Sequence, residues 1–183
     1  MANKTPASGP LSPEMTLLGL LHGGPGYGYD LHRQVAADLG QVWHLSQSQA
    51  YAILKRLEAQ GDITSEEVPQ EKLPPRQLLR ITAQGRKRFF DWLDAPSGGA
   101  VRAIRMGFIT RLYFLNRYFP QKVTAAFDRQ MAEVEFHIKR LEKIIVDLPA
   151  SQFYNYMSVE MRVRQLRAVL DWLDKNRKLV LPD

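Results

Sequence analysis

The 183-residue chain contains no cysteine. That absence excludes disulfides, thiolate zinc sites and cysteine nucleophiles, and it fits a reducing compartment. Long hydrophobic runs are missing as well. The longest one near the start, Met15 to Leu21 (MTLLGLL), is far too short to cross a bilayer and has neither a basic flank nor a cleavage pattern. The sequence therefore predicts a cytoplasmic protein with no membrane segment. Histidine is scarce, and His22, His32, His44 and His137 show no metal-ligand spacing. There is also no glycine-rich phosphate loop, no nucleophile elbow and no carboxylate pair on an evident cleft. The sequence points away from an enzyme and requires no cofactor.

The N-terminal half lacks any excess of one charge. The chain carries a net +6, but residues 1–94 hold ten Lys+Arg against ten Asp+Glu, and residues 95–183 hold the other 15 and 9. The basic excess therefore lies wholly in the C-terminal half, where its default role is to solubilise helices. A nucleic-acid reading has to rest on local geometry rather than on net charge.

What is present is the patterning of a mainly helical protein of one medium domain or two small ones. Residues 1–11 mix Pro, Gly, Ser and Thr without apolar periodicity and read as a flexible tail. Ser12, Pro13 and Glu14 spell a helix start, with a hydroxyl cap, a proline that needs no donor and an acid at the positive helix end. That helix runs to about His22 and is ended by Gly23 to Gly26 (GGPG). Leu31, Val35 and Leu39 mark a second amphipathic helix closed by Gly40. After a short extended link, Ser46 caps a third, and Gln49 completes a capping box. Its apolar residues Ala50, Ile53, Leu54 and Leu57 recur at helical spacing as far as Gly61. Two short strands then flank EKLPP, and Thr82 caps a fourth helix that ends before Pro96.

Residues 96–99 (PSGG) mark the expected boundary between a first domain, 12–95, and a second, 96–183. Residues 101–118 predict one helix, and Pro120 opens another. In the latter, Phe127, Met131, Val134, Ile138, Leu141, Ile145 and Leu148 alternate in steps of four and three. Beyond the break at 148–151, Tyr156, Val159, Val163, Leu166, Leu170 and Leu173 repeat the pattern. Two such faces joined by a short turn form an antiparallel helical hairpin or the seam of a dimer.

Helix, helix, capped helix and β-wing in this order is a winged helix-turn-helix, whose third helix presents its N-terminal residues to the major groove of DNA. Gln47, Ser48, Gln49 and Tyr51 then face base edges or sugar-phosphate, Lys55 reaches phosphate, and Lys72 and Arg76 bring the wing to the flanking backbone or minor groove. On a lone helix the same residues would simply be solvated. The helix before and the wing after them select the DNA reading. Its rival is a winged-helix module that binds a protein partner, which the balanced charge of residues 1–94 keeps open.

The stretches LLGLLHGGPGYGYDLHRQV, GQVWHLSQSQAYAILKRLEAQGDIT and LRITAQGRKRFFDWL resemble the N-terminal domain of the PadR family of transcriptional regulators. The resemblance includes the Gly28-Tyr29-Asp30 turn, the Tyr51, Leu54, Leu57 face, Gly61 and the Thr82 to Gly85 cap, and it extends to VLDWLDKN near the end. It implies a homodimeric DNA-binding repressor acting on an inverted repeat, with the C-terminal helices as the dimerisation element. On the heptads, Phe127, Met131, Val134, Ile138, Leu141, Val163, Leu166 and Leu170 are the dimerisation residues. The long C-terminal region is similar to the subgroup that includes phenolic-acid-responsive repressors. A flat aromatic effector would stack among Trp43, Phe89, Trp92, Tyr113, Phe153, Tyr154 and Tyr156, with Arg105 or Arg111 pairing a carboxylate. For any single one of these aromatics ordinary packing is the favoured reading.

Overall fold

The computed structural model describes residues 13–70 and 75–180. The expected tail, the cap at Ser12 and the wing residue Lys72 lie outside the described residues. Two compact units, divided between Ala95 and Pro96, are described in turn.

The first unit contains α1 (Glu14–His22), β1 (Gly26–Tyr27), α2 (Gly28–Leu39), α3 (Gln47–Ala59), β2 (Ile63–Val68), β3 (Arg76–Ile81) and α4 (Ala83–Asp94). Helix α1 begins one residue later than expected, with Pro13 itself in the N-cap position. All residues from Glu14 to Leu21 are buried, so α1 has no solvent face and forms the axis on which α2, α3, α4 and β3 pack. A helix apolar on every side must sit in this way.

Helix α3 starts where Ser46 and Gln49 satisfy each other. The Gln49 backbone N–H donates to Ser46 Oγ at 3.3 Å, and the Ser46 N–H donates to Gln49 Oε1 at 2.9 Å. It stops at Gly61, whose φ of +77° only glycine adopts without strain, and the Asp62 N–H folds back to Leu57 O at 2.9 Å. The wing strands pair antiparallel from Ile63 opposite Ile81 to Val68 opposite Arg76. The two residues of β1 add a third strand on the other side of β3, giving the order β1-β3-β2. Thr82 caps α4 by accepting from the Gly85 N–H at 3.1 Å, while its hydroxyl donates to Gly61 O at 2.7 Å. The first turn of α4 is thereby seated on the turn that ends α3.

The second unit opens with α5 (Val101–Ala103), a π-helical segment (Ile104–Phe108) and α6 (Ile109–Tyr118), where one uninterrupted α-helix was expected. A 3₁₀ turn (Pro120–Lys122) leads into α7 (Val123–Asp147), which is followed by α8 (Phe153–Val180). Ion pairs link Glu142 to Arg167 at 2.6 Å and Asp128 to Arg177 at 2.9 Å. Positions that fall along α7 meet positions that rise along α8, so the pair is an antiparallel hairpin. Its seam consists of the heptad residues: Phe127, Val134, Ile138, Leu141, Val163, Leu166 and Leu173 are all buried, and Met131 and Leu170 are half-buried. The face expected to dimerise is thus largely covered within its own chain, with Met131 and Leu170 keeping part of their surface. The apolar residues that remain open include Phe136, Ile144 and Val146 on α7 and Phe153, Tyr154, Met157 and Met161 on α8.

Candidate nucleic-acid interface

Helix α3 divides its side chains between three tasks. Ala50, Ile53, Leu54 and Leu57 enter the core. Arg56 turns back to α1, where its Nε lies 2.6 Å from the buried Glu14 carboxylate. The other oxygen of Glu14 accepts from Arg88 of α4, and Arg88 also donates to the buried carboxylate of Asp62. Gln84 Nε2 adds a bond to Asp62 at 3.2 Å. Two carboxylates inside the unit are thus neutralised by two guanidinium groups that tie α1, α3, α4 and the turn after α3 together. Charges of this kind are tolerated inside a protein only when they are paired.

The third group is the outer stripe. Gln47, Tyr51 and Lys55 recur at four-residue steps, all exposed. Gln49 is constrained, because its carboxamide oxygen is taken by the cap. It retains donors but cannot present the donor-acceptor pair that adenine needs. Ser48 Oγ lies 3.1 Å from Ser46 Oγ. Among the expected base-reading residues, Gln47 therefore keeps both its donor and its acceptor.

A cleft of about 510 Å³ runs between the start of α2, the outer face of α3 and the wing. Tyr51, Lys55 and Arg76, expected from the sequence as contacts, all line it, as does Tyr29, which was not. Tyr51 is held against the α2 backbone. A Cβ built on Gly28 would come within 2.8 Å of its ring, so glycine is required for this approach. The Arg76 guanidinium lies 4.8 Å from the centre of the Tyr27 ring, which holds it on the wing side of the cleft.

The PadR-like family of transcriptional regulators matches residues 17–91, which span α1 through most of α4. By this domain the chain is similar to the PadR-like regulators. Residues 104–180 match a second family model, the C-terminal domain of virulence activator alpha. The chain is 25% identical over 167 residues to the negative transcriptional regulator PadR of Bacillus subtilis, covering 86% of this chain and 91% of that one. Among solved structures it is similar to Bacillus subtilis PadR in complex with operator DNA, with 24% identity, coverage of 92% and 98%, and a TM-score of 0.44. The same protein in complex with p-coumaric acid gives 22% identity, coverage of 99% and 100%, and 0.41. The Vibrio cholerae virulence activator AphA gives 20%, coverage of 90% and 95%, and 0.41.

The aromatics expected to hold an effector have separate surroundings. Phe89 is fully buried, with the His22 ring 5.7 Å and the Trp92 ring 6.0 Å away, so it is a core residue and has no face for a ligand. Trp43 is nearly buried and borders a smaller cleft of about 350 Å³ with Pro13, His44, Gln49 and Arg56. Trp92 is half-buried. Tyr113 is half-buried and accepts from Arg117 Nη1 at 2.9 Å, while Tyr154 and Phe153 are exposed beside each other. Arg105 is exposed. Arg111 is buried and donates to Ser97 Oγ at 2.6 Å; burial lowers its pKa to about 10, which still leaves it charged at neutral pH. Burial and the Arg86 charge lower the His22 pKa, and its Nδ1 lies 3.0 Å from Arg86 Nη1. Among the described residues no cluster of three or more His, Asp or Glu is placed to hold a metal, and no helix is long and apolar enough to cross a membrane.

Proposed function

We propose that this PadR-like regulator is a cytoplasmic, homodimeric repressor that binds an inverted-repeat operator through α3 and the wing and is released by a small aromatic effector. The observation that carries the DNA reading is the division of charge on α3. Arg56 is consumed by Glu14, whereas Gln47, Tyr51 and Lys55 form an outer stripe with no hydrogen bond or ion pair among the described residues. Polar groups left unspent beside a wing are what a DNA surface requires, and phosphate neutralisation then supplies much of the affinity. Gln47 reads a base edge, with Ser48 and the free donors of Gln49 beside it. Tyr51, Lys55 and Arg76 hold the backbone, and Lys72 extends that contact along the wing.

Repression is supported by the name of the Bacillus subtilis relative. A dimer is required because one α3 reads only a few base pairs, and two-fold symmetry doubles the contacts. Its surface in this reading is the open apolar face of the hairpin. Phe153, Met157 and Met161 form a stripe at four-residue steps on α8, more than half exposed in each case. Apolar stripes of this kind mark interaction sites. For the effector, the exposed Tyr154 is the candidate contact once Phe89 is assigned to the core.

The test is titration of labelled DNA from the protein's own promoter region against unrelated DNA at near-physiological salt. The expected result is sub-micromolar retention of the promoter fragment, loss of retention in a Lys55→Ala, Arg76→Ala double variant, and release by phenolic acids. A Met161→Glu variant is expected to sediment at the mass of one chain. Retention of a protein partner but of no DNA would establish the rival module.

A further inference from the structure

On α3, β3 and α4 the cations outside the 510 Å³ cleft have partners: Arg56 and Arg88 pair with Glu14, Arg80 with Glu66 at 3.6 Å, Lys87 with Asp91 at 2.6 Å, and Arg86 bonds His22. The two that line the cleft, Lys55 and Arg76, have no carboxylate partner among the described residues. Glu58, the carboxylate in the same lining, accepts from the Ser65 hydroxyl and keeps its charge, so Lys55, Arg76 and Glu58 together give the lining one positive charge in excess. Two further groups converge there without a partner, the phenols of Tyr29 and Tyr51, each about half exposed (48% and 46%). Two cations and two hydroxyl donors around one open cleft match a tetrahedral anion.

We propose that this cleft seats one backbone phosphate of bound DNA, with Tyr29 and Tyr51 donating hydrogen bonds to its oxygens and Lys55 and Arg76 balancing its charge. The proposal rests on the DNA reading above and adds to it a contact from α2, Tyr29, and a reason for Gly28. The Tyr51 ring can reach the cleft wall only where the α2 backbone carries no Cβ. A phosphate held from α2, α3 and the wing at once fixes the depth and rotation of α3 in the groove. Tyr29 is thus a positioning residue whose effect does not depend on base sequence.

The experiment is a methylphosphonate scan, in which single backbone charges are removed one at a time from the duplex that the protein retains. In the wild-type protein one position in each half-site is expected to weaken binding about tenfold, the effect of losing hydrogen bonds to a charged group. In Tyr29→Phe the penalty at that position is expected to shrink several-fold, with the other positions unchanged, and Tyr29→Phe is expected to weaken promoter and unrelated DNA by the same factor. Gly28→Ala, which displaces the Tyr51 ring, is expected to shrink the penalty at the same position. Retention of DNA with no position coupled to Tyr29 overturns the phosphate seat and leaves the DNA reading standing. A Tyr29→Phe loss confined to the promoter sequence also overturns it, because it makes Tyr29 a base contact. Competition by inorganic phosphate at low millimolar concentration, with no coupled backbone position, assigns the cleft to a free anion instead. A folded protein that retains no duplex overturns both readings.

Discussion

Arg88 joins the two buried carboxylates of the first unit, and replacing it with methionine keeps much of its apolar stem while removing its charge. Its side chain is only a quarter exposed, and the Glu14 and Asp62 side chains it serves are almost wholly buried. Removing one partner of a buried ion pair costs about 3–5 kcal/mol because the charge left behind stays desolvated. Two contacts soften the loss here, since Glu14 keeps Arg56 at 2.6 Å and Asp62 keeps Gln84 at 3.2 Å. The expected cost of Arg88→Met is therefore near the lower end, about 3 kcal/mol. A unit of this size loses roughly 4–8 °C in melting temperature per kcal/mol, so its transition should fall by roughly 12–24 °C. Calorimetry of the full chain resolves this, with hydrogen exchange in α1 and α4 to assign the transition to the first unit. Arg88→Lys is expected to recover little of the loss, because an ammonium lacks the planar fork that serves two carboxylates. A shift of only a few degrees for Arg88→Met would refute the reasoning and reduce the network to a surface pair.

Gly85→Ala is expected to destabilise the first unit by about 2 kcal/mol or more, because overpacking against a rigid neighbour forces the backbone to move. The added Cβ would stand 2.0 Å from the Asp62 carbonyl oxygen, which also accepts the Thr82 N–H at 3.0 Å, and denaturant unfolding measures the loss. His22 gives a pH dependence of definite sign. Its folded-state pKa lies below 6.5 through burial and the Arg86 charge, so below pH 6.5 the unfolded chain binds a proton that the folded chain refuses. Stability should fall as pH drops from 6.5 to the folded pKa and then level off, and His22→Gln should remove that slope in melting curves taken from pH 7.5 to 5.5.

Local signals carried the first unit well and missed its long-range ties. The Ser46 box, the Thr82 cap and the glycine at 61 each depend on neighbours within a few residues, and each stands where the sequence puts it. By contrast Glu14 and Arg88 are 74 positions apart, and nothing in either neighbourhood announces their pairing. The strand β1 is two residues long, too short for any alternation to show, and exists because β3 offers it an edge. The π segment in the second unit has no compositional marker either, since Ile104 to Phe108 reads as an ordinary helical stretch. Tyr29 was visible within the quoted Gly28-Tyr29-Asp30 turn. Only the cleft that it lines together with Lys55 and Arg76 makes it a candidate contact.

The heptads show where periodicity alone is ambiguous. A face of a and d residues states that something apolar must cover it, and is silent on whether the cover comes from the same chain. In this hairpin the pairs Glu142 with Arg167 and Asp128 with Arg177 bracket a stretch of the seam in which Val134, Ile138 and Leu141 of α7 and Leu173 of α8 are buried. The interaction surface must then be sought among residues that break the heptad. Phe153, Met157 and Met161 do so, because strict four-residue steps drift off a 3.5-residue repeat onto a neighbouring face of α8. The same separation operates on α3, where the core uses Ala50, Ile53, Leu54 and Leu57 and the stripe Gln47, Tyr51, Lys55 runs at four-residue steps outside it. In both helices one periodicity builds the unit and a second, offset from it, remains free for another molecule.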